Sequence, residues 1–193
     1  MRFDVLLAGV GGQGVLSLAA IVTEAARAEG MHVKQAEVHG MAQRGGSVQA
    51  TVRISSDPIE SELVSHGVVD MILGLEPLEA LRYVDYLASG SGLITAADPY
   101  ENILDYPPLD TVHEQVRLLG GHLIDASRLA REAGSPRSSN VVMVGSASTL
   151  APLPAAAFEA AIRRAFSSKG ERVVEANIRA FRLGREALTP AQG

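Results

Sequence analysis

The sequence predicts an α/β protein: a three-layer α/β/α sandwich built on a mixed, mostly parallel sheet, with a helical C-terminal segment. Three observations predict it. Short apolar runs alternate with stretches of helical periodicity through the first two thirds of the chain. Two of those runs, at 69–75 and 92–97, are almost continuously apolar, as strands covered on both faces are. From Asn140 onward the strand pattern stops and three helical stretches follow.

Taken in order, Phe3 to Ala8 is a short apolar strand that runs straight into glycine-rich sequence. Val15 to Glu29 reads as a helix, because Leu16, Ala19, Ala20, Thr23 and Ala26 recur at helical spacing and Gly30 stops it. His32 to His39 is the next strand, Gly40 to Gly46 a loop, and Ser47 to Ser55 a strand that alternates Val48, Ala50, Val52 and Ile54. A loop this short favours an antiparallel pair, since a parallel return needs a dozen or more residues. Val69 to Leu75 is a buried strand. Glu76-Pro77 opens a helix expected to run to Ala88, with proline at a first-turn position where its missing N–H costs nothing. Gly92 to Ala97 is another strand, and Asp98 to Asp110, with Pro99, Pro107 and Pro108, a surface loop. A helix at 112–119, a strand at 122–125 and a helix at 126–133 come next, then a polar break at 135–139. Helices are expected at 140–150, 154–168 and 171–188. The sequence shows neither an internal repeat nor a low-complexity linker, and residues 1–193 read as one domain.

Composition narrows the function. Hydrophobic residues are 47% of the 193 and charged residues 20%, enough for a sizeable core. The net charge of −5 argues against a broad nucleic-acid face. The chain has no cysteine, so it can hold neither a disulfide nor a Cys-ligated iron–sulfur cluster, and electrons of any redox reaction must pass through another chain. Met-Arg-Phe-Asp leads directly into a strand pattern, and no apolar run reaches the roughly 20 residues of a membrane span. The expectation is a soluble, cytoplasmic protein.

Two segments concentrate the features that bind. Gly9-Val-Gly-Gly-Gln-Gly14 carries G-x-G-x-x-G at Gly9, Gly11 and Gly14, after a strand and before a helix. Glycines there let a ligand or another backbone come close, and the free N–H groups of the helix start attract anions. A dinucleotide site also wants an acidic residue about 20 positions on, at the end of the second strand. Glu37 follows Gly14 by 23 positions, but Val38-His39-Gly40 after it makes a poor ribose clamp. Anion binding, contact with a partner subunit and a purely structural turn all remain open for Gly9, Gly11, Gly12, Gln13 and Gly14.

The second segment, Glu37-Val-His-Gly-Met-Ala-Gln-Arg-Gly-Gly46, gathers an acid, an imidazole, an amide and a guanidinium among glycines. Arg44 is a planar donor suited to carboxylate or phosphate, and Gly45 and Gly46 leave room for a neighbour. A solvated turn is the alternative. Ser138-Ser139-Asn140 reads first as a helix cap, with Asn140 a lesser site candidate. Lys169-Gly170 with Asn177 reads as a helix end on a solvated face. No second histidine or carboxylate lies at metal-ligand spacing, Ser17 and Ser47 have no identifiable histidine partner, and there is no thiamine-type Gly-Asp-Gly segment.

The two glycine-bearing segments in order, with Asn140-Val-Val-Met-Val-Gly145 and Lys169-Gly through Asn177-Ile-Arg-Ala-Phe181, resemble the gamma domain or subunit family of 2-oxoacid:ferredoxin oxidoreductases, over about residues 3–184. As a free-standing chain of this length, it is most similar to the beta subunits of the indolepyruvate ferredoxin oxidoreductases. The resemblance implies a non-redox subunit of an enzyme that oxidatively decarboxylates a 2-oxoacid with coenzyme A, giving acyl-CoA, CO2 and reduced ferredoxin. It implies no cofactor on this chain alone: thiamine diphosphate, Mg and iron–sulfur clusters belong to a larger partner, and CoA is a candidate co-substrate. Gly11, Gly12, Gln13 and Gly14 would then form a turn near the partner or ligand, and His39, Gly40, Gln43, Arg44, Gly45 and Gly46 a loop facing the active site. Two other readings stand beside it: a stand-alone Rossmann-type nucleotide-binding oxidoreductase, resting on the same Gly9–Gly14 turn, and a homo-oligomeric binding module. Neither nucleic acid nor membrane is an expected partner.

Overall fold

The computed structural model describes residues 1–39 and 45–188, and for His39 the backbone only. A six-stranded mixed sheet forms the centre, in the order β2-β3-β1-β4-β5-β6. The strands are β1 (Arg2–Val10), β2 (His32–His39), β3 (Ser47–Ser55), β4 (Val69–Gly74), β5 (Leu87–Ala96) and β6 (His122–Ile124). β1, β4, β5 and β6 pair parallel in succession, and β3 is antiparallel to both β1 and β2, so β3 alone runs against the rest.

Alternation along β1 assigns the two faces. Val5 and Leu7 point into the larger core, beneath α1 (Val15–Ala28), α4 (Ala126–Glu132), α5 (Ser139–Ala147), α6 (Ala155–Phe166) and α7 (Glu171–Leu188). Leu6 and Ala8 point into a smaller core with Ala80 of α2 (Pro77–Leu81) and Val116 of α3 (Leu109–Leu118). Helices therefore cover both faces, giving the expected three layers. In α1 the residues Val15, Leu18, Ala19, Val22 and Ala26 form one buried stripe; of the residues whose spacing predicts the helix, Ala19, Thr23 and Ala26 are buried, while Leu16 and Ala20 are exposed. Helices α5 and α7 cross closely because Gly145 and Gly184 carry no Cβ: one at either position would overlap the facing Phe181 or Val142 carbonyl. Ser146 Oγ seals this seam by donating to Gly184 O at 2.8 Å.

Three expectations need correction. The helix opened by Pro77 does not reach Ala88: it ends at Leu81, a 3-10 turn covers Val84–Tyr86, and β5 already begins at Leu87. Tertiary packing overrides helix propensity here, because Leu81, Tyr83, Val84 and Tyr86 pack against the smaller core and the chain must turn back to pair with β4. β5 accommodates the early start with a bulge, Val69 facing Leu87 while Met71 faces Gly92, and Gly90 takes a positive φ of 79°. Asn177 is not on a solvated face but buried, its Nδ2 donating to Val173 O at 2.8 Å. Finally, Ser138 does not cap α5 with its side chain: its Oγ bonds Ser135 Oγ at 2.9 Å instead.

Among the described residues, no helix is long and apolar enough to cross a membrane.

Candidate functional site

After β1 the chain continues to β2 and β3 on one side, and after β3 it crosses to β4 on the other. Connections leaving adjacent parallel strands in opposite directions open a crevice at their C-terminal ends, the usual ligand position in open α/β sheets. The Gly9–Gly14 turn lies at that crevice, between the ends of β1 and β4.

The turn is built by its glycines and by Gln13. Gly12 and Gly14 have φ of 106° and 92°, a region that L side chains rarely adopt. Gln13 folds back on the turn: its Oε1 accepts from Val10 N at 2.7 Å and its Nε2 donates to Leu75 O at 3.1 Å, tying the end of β1 to the end of β4. Its amide is therefore used structurally. Gly14 is the N-cap of α1 and supplies no side-chain cap, leaving the first helix amides to be satisfied from outside. A Cβ on Gly14 would meet Asn140 Nδ2 at 3.0 Å, so the start of α5 closes on the turn. Beside it is a cavity of about 230 Å³, whose polar lining includes Gln13, Asp98, Tyr100, Ser127, Ser139 and Asn140.

The hairpin brings the second glycine segment to the same edge. Gly11 N donates to Gly46 O at 2.8 Å, and Gly45 N donates to Gly11 O at 3.3 Å. Gly45 has a φ of 78° with open space where a Cβ would stand. Sequence positions 11 and 45–46 are thus joined by backbone alone. Gly40, Gln43, Arg44 and the side chain of His39 lie outside the described residues.

Residues that the sequence did not single out hold this edge together. Glu76 and Glu79 are both buried at the turn from β4 into α2. Glu76 caps α2, its Oε2 accepting from Glu79 N at 2.7 Å, while its Oε1 accepts from the Tyr106 hydroxyl and from Tyr100 N at 3.4 Å. Burial pushes the Glu76 carboxyl above the usual carboxylate value against these hydrogen bonds, and burial followed by the nearby Glu76 carboxylate pushes the Tyr106 phenol up. Glu79 Oε2 accepts from Ser47 Oγ at 2.6 Å, and its Oε1 pairs with Arg82 Nε at 3.3 Å. Asn102, in the segment between β5 and α3, donates from Nδ2 to Gly45 O at 3.0 Å, while its Oδ1 is buried without a hydrogen-bond partner. The signal available in sequence was Leu75-Glu-Pro-Leu-Glu79, two carboxyls one helical turn apart at the end of an apolar strand.

The arrangement is rich in backbone and poor in reactive groups. Among the described residues, no three His, Cys, Asp or Glu side chains are placed to hold a metal ion. A dinucleotide arrangement also lacks its ribose clamp, because β3 lies between β1 and β2 and the exposed Glu37 accepts from Gln35 at 3.0 Å.

The pyruvate ferredoxin/flavodoxin oxidoreductase family matches residues 4–187. The chain is 38% identical over 203 aligned residues to an indolepyruvate oxidoreductase subunit IorB of Thermococcus kodakarensis, covering 100% of this chain and 98% of that one. The fold is similar to that of a 2-oxoglutarate:ferredoxin oxidoreductase from Magnetococcus marinus solved with 2-oxoglutarate, coenzyme A and succinyl-CoA, with a TM-score of 0.75 and 23% identity; the match covers 97% of this chain and 31% of that longer one. It is also similar to a keto/oxoacid ferredoxin oxidoreductase gamma subunit from Geobacter sulfurreducens, with a TM-score of 0.69, 24% identity and coverage of 96% and 98%. The chain belongs to the pyruvate ferredoxin/flavodoxin oxidoreductase family.

Proposed function

We propose that this member of the pyruvate ferredoxin/flavodoxin oxidoreductase family is the non-redox subunit of an indolepyruvate-type 2-oxoacid:ferredoxin oxidoreductase, and that its glycine edge completes the active site of a larger subunit. The observation that carries the reading is the junction of the Gly9–Gly14 turn with Gly45-Gly46 at the sheet's C-terminal edge. It is a surface that another chain or a ligand can approach closely. Relatives called indolepyruvate oxidoreductase subunits, matched over 98% and 94% of their length, support the substrate class.

In this reading the reaction converts the 2-oxoacid and CoA to acyl-CoA and CO2, with the electrons delivered to ferredoxin. The larger subunit holds thiamine diphosphate with Mg, which supplies carbanion stabilisation during decarboxylation, and the iron–sulfur clusters, which this cysteine-free chain cannot ligate through thiolates. The present chain contributes position and electrostatics. The uncapped start of α1 favours an anionic group beside Gly12–Gly14. Arg44, which lies between β2 and β3 in sequence, is the guanidinium we assign to a carboxylate or phosphate of the substrate or co-substrate. The glycines exclude bulk and let the partner close over the site.

Reconstitution tests the proposal. The purified chain should reduce no acceptor alone, and adding the large subunit should restore indolepyruvate- and CoA-dependent reduction of ferredoxin. Arg44→Ala should lower that activity strongly while the chain keeps its melting temperature. Tight calorimetric binding of NAD, NADP or FAD by the isolated chain, or a native pull-down that recovers no thiamine-dependent iron–sulfur partner, would count against it.

A further inference from the structure

We propose that the groove between α1 and the C-terminal end of α6 is a docking site for an acidic segment of the larger subunit, with an apolar side chain in the groove and a carboxylate against Lys169; this rests on the reading above that the chain is one subunit of a larger enzyme.

Helix α1 is more apolar than its packing requires. Of its 14 residues only Ser17, Thr23, Glu24 and Arg27 are polar. The stripe from Val15 to Ala26 is buried, but Leu16 and Ala20 stand outside it, and Leu16 is 40% exposed. A surface helix ordinarily turns charged or polar residues to water. α7 does so with Arg172, Arg179, Arg182 and Glu186, whereas α1 presents Leu16 and Ala20. A helix that is apolar on two sides is built to be covered on two sides. Among the described residues, only one of those sides is covered.

The other side opens into a groove of about 460 Å³. Ala20 and Ile21 of α1 and Ala161, Ala165 and Phe166 at the end of α6 form its apolar lining. The polar rim is unbalanced in charge. Glu24 is taken by Arg164, while Lys169 is exposed and makes no ion pair among the described residues. The groove also reaches Ser17, whose N–H donates to Gly14 O at 3.0 Å. It therefore starts within one helical turn of the glycine turn and continues the face assigned above to the larger subunit.

Charge selects the occupant. Residues 126–188, which supply α4 to α7 on this side of the sheet, carry ten basic and five acidic side chains, against seven and seventeen in residues 1–125. A second copy bound about a two-fold axis would lay this positive layer against itself and bring Lys169 of both copies to one interface. An acidic partner meets the same layer with opposite charge. The charges then set association rate and specificity, and the buried apolar side chain supplies affinity.

The experiment measures association and dissociation of the full chain with the large subunit at several salt concentrations. Ala20→Glu keeps a helix-forming residue at an exposed position but puts a charge in the groove; it should raise Kd about tenfold at unchanged melting temperature. Should that variant not fold, Ala165→Glu on the opposite wall decides instead, with the same expected loss. Lys169→Glu should slow association and flatten its salt dependence, and Lys169→Arg should preserve both. If Ala20→Glu and Ala165→Glu bind as the unaltered chain does, the groove is not a docking site, although the subunit reading stands. Unchanged association by Lys169→Glu overturns the acidic chemistry of the occupant. If the unaltered chain binds no large subunit, the subunit reading fails and this proposal fails with it. If light scattering shows the chain alone to be a dimer that Ala20→Glu dissociates, the occupant is a second copy and the proposal is overturned.

Discussion

The two edges of the sheet handle buried acid in opposite ways. At the edge where β1 begins, Asp4 is fully buried and met by two guanidinium groups, Arg2 at 2.6 Å and Arg53 at 3.0 Å. Arg53 also donates to Ser61 O and Leu63 O, so one ion cluster ties β1, β3 and the segment after β3 together. At the edge where β1 ends, Glu76 and Glu79 are as deeply buried, yet Glu76 is held by a phenol and two backbone N–H groups rather than by a cation. Glu79 pairs with Arg82, whose side chain is 47% exposed. One edge neutralises its carboxylate and is built for stability. The other holds Glu76 with neutral donors, tolerates its raised pKa, and gives Glu79 only a half-exposed arginine beside the Ser47 hydroxyl.

The sharpest way to break this comparison is Asp4→Asn. It leaves Arg53, largely buried, without its counter-charge, and unfolding in urea should show a loss of about 3 kcal/mol with no direct effect on reconstituted turnover. Glu79→Ala comes next: it strips Ser47 and Arg82 of their acceptor, and a loss of about 2 kcal/mol is expected by the same measurement. Were Glu79→Ala the costlier of the two, the stabilising edge would be the wrong one. Tyr106→Phe should cost only about 1 kcal/mol, the worth of one hydrogen bond to a buried carboxyl.

The smallest effect is a pH dependence. Burial raises the Glu76 pKa above the 4.5 of an ordinary glutamate, so the folded chain holds this proton more tightly than the unfolded chain. Its contribution is complete below that ordinary value and is lost as pH rises through the higher, folded value. Relative to Glu76→Gln, the unaltered chain should therefore lose stability as pH is raised from about 4.5 toward neutrality. Urea midpoints at a series of pH values check this, and a difference that grows in the other direction would show that hydrogen bonding outweighs desolvation.

Local patterns made much of the fold legible. The strands His32–His39 and Ser47–Ser55 and the helix Glu171–Leu188 have the bounds that period-2 alternation, helical spacing and glycine punctuation give. The antiparallel pairing followed from loop length, and both glycine segments were legible because their composition is unusual. The holding network was not. Glu76 reads locally as a helix-opening acid, and nothing near it announces a bond to Tyr106, 30 positions away. Asn102 looks like any polar residue in a proline-bearing loop, and its partner Gly45 is 57 positions earlier. Asn140 reads locally as part of a cap, although the structure places its amide against Gly14, a contact fixed by how α5 packs and not by its own neighbours.

The hairpin of β2 and β3 also bears on how this protein can diverge. A parallel return after β2 would have required a crossover whose length and packing are bound to the core. A hairpin connection carries no such obligation: doubling a flexible loop costs only about 0.6 kcal/mol in closure entropy, while the paired strands keep their register. A change in the length of the connection between β2 and β3 therefore leaves their antiparallel register, and with it the rest of the sheet, in place.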